Sequence, residues 1–131
     1  MDVTIGSRTF RSTKMDPFKQ IHVIRRMGSL FPSVAGAVRV PDKMLAAGYI
    51  GAALGRLSDD DANFILNSCL ATCQLKQGTM WASVVDANGT LMFQDMQLPE
   101  ILELVWKVLE DNFRPFIKDL LAKVSSAEVS A

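Results

Sequence analysis

The amino-acid sequence predicts an α+β fold, a mostly helical single domain with four or so helices and a small antiparallel β-hairpin or sheet. Three observations predict it. Asp16–Pro17 is a complete helix-start signal ahead of a segment that alternates apolar and polar residues at helical spacing. Leu102, Val105, Leu109, Phe113, Phe116, Leu120 and Val124 recur at steps of three or four, as on a long amphipathic helix. Asn88–Gly89 separates two strand-like runs and is a strong hairpin signal. At 131 residues the chain can bury one core but not two.

In chain order, Val3–Ile5 and Thr9–Arg11 flank Gly6–Ser7 and suggest a short strand or small hairpin. The first helix is expected from Pro17 to about Met27, capped by the Asp16 carboxylate and ended by Gly28–Ser29, with Phe18 packing inward. Phe31–Pro32 breaks any helix, and the apolar run Val34–Val40 suits a strand or a packed irregular segment. Asp42 can cap a second helix, Lys43 to Leu57, in which Ala47, Gly51 and Gly55 repeat every four residues beside Gly48 and Ala52. Such a small-residue stripe lets another backbone approach closely, while its glycines weaken the helix and make it depend on packing.

Ser58-Asp59-Asp60-Asp61 opens a third helix, expected to reach about Lys76 and to bury Ala62, Ile65, Leu66, Cys69, Leu70 and Cys73. Trp81–Asp86 and Thr90–Gln94 then form a hairpin about Asn88–Gly89, with Val85 facing Met92 and Val84 facing Phe93. An N-terminal strand could be its third member, because an isolated hairpin is marginal in water. Leu98-Pro99-Glu100 starts the last helix, with a kink or break expected near Asn112–Arg114 because Pro115 lacks a helical N–H. Ser125–Ala131 is small and polar, which divides the chain into a globular domain over 1–124 and a flexible tail over 125–131.

Composition narrows the function classes. Fourteen basic and fourteen acidic residues cancel, so no global field draws nucleic acid or an anionic membrane. Arg8, Arg11, Lys14 and Arg25–Arg26 read as solvated faces. The longest weakly polar run, Met44–Leu54, is too short to span a bilayer, and the N-terminus has no signal-peptide pattern. The chain reads as soluble and intracellular. Cys69 and Cys73, four residues apart, read as small buried thiols in a reducing compartment. The aspartate triplet is a capping signal, since consecutive helical residues point in different directions. His22 is the single histidine, and no P-loop, G-x-G-x-x-G, H-E-x-x-H or G-x-S-x-G motif occurs. No catalytic, cofactor or metal residue is therefore assigned, and the chain is not expected to be an enzyme. A small enzyme would need a polar cleft that holds His22 with a carboxylate.

The positive signal is apolar excess on the last helix, where Leu104 and Trp106 lie away from the Leu102–Leu109 line. In so small a domain, part of that surface is a candidate for contact with another chain. Trp106, Phe113 and Phe116 are the candidate anchors, with the small-residue face of Ala47, Gly51 and Gly55 as a second site. The alternative is that all of them are core. Seven methionines suit an adaptable apolar surface or the filling of gaps in a core.

One stretch carries a family pattern: Phe10-x-x-x-Lys14-Met15-Asp16-Pro17-Phe18-Lys19-Gln20-x-His22 with Arg25–Arg26. It is followed by Leu57-Ser58-Asp59-Asp60-Asp61, Phe64–Ile65–Leu66, Trp81, Leu91-Met92-Phe93 and Leu98-Pro99-Glu100-Ile101-Leu102-x-Leu104. This succession resembles the small tail assembly chaperones of tailed bacteriophages. The resemblance implies a non-catalytic assembly factor that binds the tape measure protein, keeps it soluble and recruits tail tube protein. It also implies action in the host cytoplasm, absence from the mature virion and a possible homo-oligomer. Some such systems append a second domain by programmed frameshift, and by that comparison this chain is expected to be the short form. The rival reading is a structural virion component, such as a tail completion or terminator protein, which would form a stable ring and stay in the particle.

Overall fold

Alternating apolar and polar residues at the N-terminus build the first half of a four-stranded sheet. The structure, a computed structural model, describes residues 1–28, 48 and 51–130, with side chains up to 119 except that of 117. Strands β1 (Asp2–Ile5) and β2 (Arg8–Ser12) form a hairpin about Gly6–Ser7, where Gly6 takes a left-handed φ of 60°. Strand β3 (Cys73–Gln77) pairs with β2, and β4 (Met80–Ser83) pairs with β3, so the order is β1-β2-β3-β4 and every pairing is antiparallel. Val3, Phe10, Leu75 and Ala82 oppose one another across the sheet and form a row on the core face. The row Asp2, Arg11, Gln74 and Ser83 lies on the other face, where the Arg11 guanidinium stacks 4.4 Å from the Trp81 ring centroid.

Helix α1 (Pro17–Met27) begins as its sequence dictates: the Asp16 carboxylate accepts the Lys19 amide at 2.9 Å and Pro17 occupies the first turn. Val23 and Met27 are buried. Phe18 does not pack inward. It precedes Met27 by nine residues, about two and a half turns, so the two side chains leave opposite sides of the helix. Residues 51–54 are helical and Ala53 is buried, in keeping with the expected second helix. The expectations for Leu30–Pro41, Asp42 and the start of that helix lie outside the described residues.

Helix α2 (Asp59–Leu70) is capped by Ser58, whose hydroxyl accepts the Asp61 amide at 3.2 Å. It buries Ile65, Cys69 and Leu70, while Ala62 and Leu66 are half-buried. It ends six residues short of Lys76, because the chain turns at Ala71–Thr72 and enters β3. The spacing of Cys69 and Cys73 fits a helix, but Cys73-Gln74-Leu75-Lys76 alternates with period two, and β2 supplies the backbone partners for that choice. The Thr72 hydroxyl donates to the Cys69 carbonyl at 2.7 Å and helps close the turn. The Cys73 thiol still lies beside Cys69 and donates to its carbonyl oxygen at 3.4 Å.

The Asn88–Gly89 turn forms, but not the expected hairpin. Asp86 Oδ1 accepts the amides of Asn88 and Thr90 at 2.8 and 2.9 Å, and Gly89 is left-handed with φ 80°. This encloses three residues, 87–89, instead of two, so the register shifts by one and Val85 bridges Leu91 rather than Met92. Pairing stops there. Trp81 lies in β4, which uses β3 as its partner across a turn at Gly78, φ 62°.

Helix α3 (Leu98–Ser130) covers the core face of the sheet and packs against α2 and β1. It runs unbroken through Pro115. Proline there cannot donate to the Asp111 carbonyl one turn back, and Lys14 Nζ fills that vacancy at 2.9 Å. Helical backbone also continues past Ser125, where a tail was expected. No glycine or proline interrupts residues 116–130.

Candidate partner-binding surfaces

The width of the apolar stripe on α3 follows from its position between sheet and helices. Leu104, Val105, Trp106, Val108, Leu109 and Phe113 are all buried, Trp106 and Phe113 to 2% exposure each. These two candidate anchors are core side chains of this chain, as is Leu104, which looked displaced from the stripe. Phe116, one turn beyond Asn112, is 50% exposed and is the accessible member of the three. In the small-residue site, a Cβ on Gly51 would lie 3.5 Å from Leu102 Cδ1, so that face meets α3 of the same chain. Gly55 is exposed, and among the described residues a Cβ there would meet the carbonyls of Ala52 and Gly51. Ala47 lies outside the described residues.

A buried amide holds α1 on α3. Asn112 Oδ1 accepts the Met15 amide at 2.9 Å and Gln20 Nε2 at 3.1 Å, while its Nδ2 donates to the Val108 carbonyl at 2.8 Å. Together with Lys14 on the Asp111 carbonyl, these bonds fix the segment before α1 at the place where Pro115 opens the helical ladder. Sequence reasoning marked this region as a break and missed the latch. Asn112 on an otherwise apolar helix face, three residues before a proline, was the available signal.

The face of α1 turned from the core carries a different set. Phe18 is 77% and Ile21 53% exposed, and His22 and Arg25 beside them are exposed as well. His22, Arg25, Arg26 and Asp61 line one polar depression. A cleft with His22 and a carboxylate thus exists, but Arg26 Nη1 holds Asp61 Oδ1 at 2.9 Å, and the lining residues include no hydroxyl or thiol nucleophile. Arg26 also stacks over the Phe64 ring at 4.2 Å, and Lys19 Nζ lies 5.3 Å from the same ring. These contacts join α1 to α2 along their exposed edge.

Burial pushes the Cys69 thiol up, the neighbouring Cys73 adding to it. Burial likewise pushes Cys73 up to about 11, partly offset by its contact with the Thr72 hydroxyl. Both stay protonated at neutral pH, the opposite of an activated cysteine. Among the described residues, no three His, Cys, Asp or Glu side chains are grouped to hold a metal ion. Nor is any described helix long and apolar enough to cross a membrane. At the far end of the sheet, Arg8 bonds Asp95 and lies 3.6 Å from Glu100, tying β2 to the start of α3.

A family model described as phage tail assembly chaperone protein, TAC, matches residues 6–125. No curated protein and no solved structure matched the chain.

Proposed function

The chain belongs to the phage tail assembly chaperone family, and we propose that within it this protein binds the tape measure protein, keeps it soluble and promotes assembly of tail tube protein around it. The observation that supports this most is the set of large apolar side chains turned to solvent, Phe18, Ile21 and Phe116, on a scaffold whose own core is already filled by Trp106, Phe113 and their neighbours. Phe18 and Ile21 stand outside the buried core, and exposed apolar side chains of this kind suit reversible cover of an apolar stripe on a long helical partner. Among the original candidates, Phe116 is assigned to partner contact. Trp106 and Phe113 hold the helix that presents it, and Gly51 admits Leu102 at the helix crossing.

The role requires no bond chemistry and is non-catalytic. Several copies on one tape measure chain would act through avidity, each contact weak enough for tube subunits to displace. The protein would then work in the host cytoplasm and leave before the virion is complete. Co-expression with the tape measure and tail tube proteins, followed by size-exclusion chromatography with light scattering, tests the reading. A soluble complex of many copies on one tape measure chain is expected. An insoluble tape measure beside a fixed ring of this protein would overturn it in favour of a structural virion role.

A further inference from the structure

We propose that the outward face of α1 is a docking surface for an acidic amphipathic helix of a partner, whose apolar stripe lies on Phe18 and Ile21 and whose flanking carboxylates reach Arg25 and His22. The proposal rests on the chaperone reading and names the surface through which it operates. Phe18 and Ile21 are three residues apart and therefore adjacent on one helix surface. At about 100° per residue, Ile21, Arg25, Phe18 and His22 fall within an arc of about 100°, centred opposite the buried Val23 and Met27. Both apolar side chains of this ridge are more than half in water, and neither belongs to the buried core.

Charge selects the occupant. Helix α1 contains the cations Lys19, Arg25 and Arg26 and no carboxylate. Arg26 is matched internally by Asp61, and Lys19 is directed at Phe64. Arg25 stays exposed beside the ridge with the exposed His22 imidazole, a hydrogen-bonding group, next to it, so carboxylates are favoured on the flanks of whatever covers it and lysines are disfavoured. The backbone of α1 is satisfied by its own ladder and offers no edge for an added strand. Recognition must then run through side chains, which a helix laid along the ridge at 8–10 Å between axes can supply.

The test uses the full chain and a synthetic helical peptide of about five turns, with leucines at every third and fourth position and glutamates flanking them. The control peptide carries lysines in place of the glutamates, and phosphatidylglycerol vesicles stand for an anionic membrane. Isothermal titration should show binding of the glutamate peptide, weakened about tenfold or more by Phe18→Ser. Arg25→Glu should reverse the preference to the lysine peptide. Both substitutions are at exposed positions, and their thermal melts are expected to match wild type. Equal binding of the two peptides, or binding of neither, overturns the proposal. So does Phe18-dependent binding of the vesicles, or Phe18-dependent self-association that the glutamate peptide does not compete away, because membrane or a second copy would then be the occupant. The chaperone reading fails separately, when wild-type chain binds the glutamate peptide yet never carries tape measure protein into solution.

Discussion

The two faces of α1 are built from the same eleven residues and have opposite relations to the rest of the chain. The inward face sends Val23 and Met27 into the core and Gln20 to the buried Asn112 amide. The outward face presents Phe18 and Ile21 to water with Arg25 and His22 beside them. Apolar residue type is therefore no guide to role on this helix, and angular position is. The inward set determines whether the domain folds. The outward set stands outside the buried core and is expected to change with little cost to folding.

Core truncation sharpens the comparison most. Trp106→Ala or Phe113→Ala should each destabilise by about 3–5 kcal/mol, read by urea unfolding. Were Trp106 an interface anchor instead of core, its truncation would leave the unfolding midpoint where it was. Asn112→Ala comes next: it leaves the Met15 amide buried without a partner and should cost about 1–3 kcal/mol. An effect of similar size, on the order of 2 kcal/mol, is expected from pH through Cys73. Unfolded, its thiol ionises near 9.0, and folded it holds its proton to about 11. The unfolded chain releases that proton first, so the contribution is complete below pH 9 and is lost as pH rises toward 11. Cys73→Ala should remove this part of the alkaline decline, which a comparison of unfolding curves at pH 8 and pH 11 would detect.

Removing the cap of α1 by Asp16→Ala should cost about 1 kcal/mol. Phe18→Ser marks the bottom of the series, with a change in stability within about 0.5 kcal/mol. A destabilisation comparable to that of the core variants would break the distinction between the faces.

Local signals in the sequence were reliable where one residue settles one backbone group. Asp16, Pro17 and Gly28 bound α1, and Ser58 starts α2, as expected. Gly6–Ser7 turns the first hairpin. Periodicity misled where two readings share a spacing: Cys69 and Cys73 fit a helix, yet the second belongs to a strand whose partner lies some sixty residues earlier. Such long-range pairing leaves no mark in a local window. The Asn88–Gly89 turn was found, but its register depends on Asp86 capturing two amides, which made a three-residue loop.

At Pro115, chemistry correctly identified a missing hydrogen bond, and the sequence could not show that Lys14 repairs it from 97 residues away. The proposed partner surface was the least legible part. Large aromatics on the longest helix drew attention to Trp106 and Phe113, which proved to be core because that helix is enclosed on several sides. Of the exposed pair on α1, Phe18 belongs to the family motif, where the sequence suggests packing, and Ile21 falls on an unspecified position of that motif. A helical wheel anchored on Val23 and Met27 would have separated the pair.

Co-expression of the Phe18→Ser, Arg25→Glu double variant with the tape measure protein tests the division of labour on α1 most directly. Soluble tape measure protein and the melting temperature of the purified variant would be measured together. Loss of soluble tape measure protein at an unchanged melting temperature is the predicted result. Full retention of soluble tape measure protein by the well-folded variant would contradict the account.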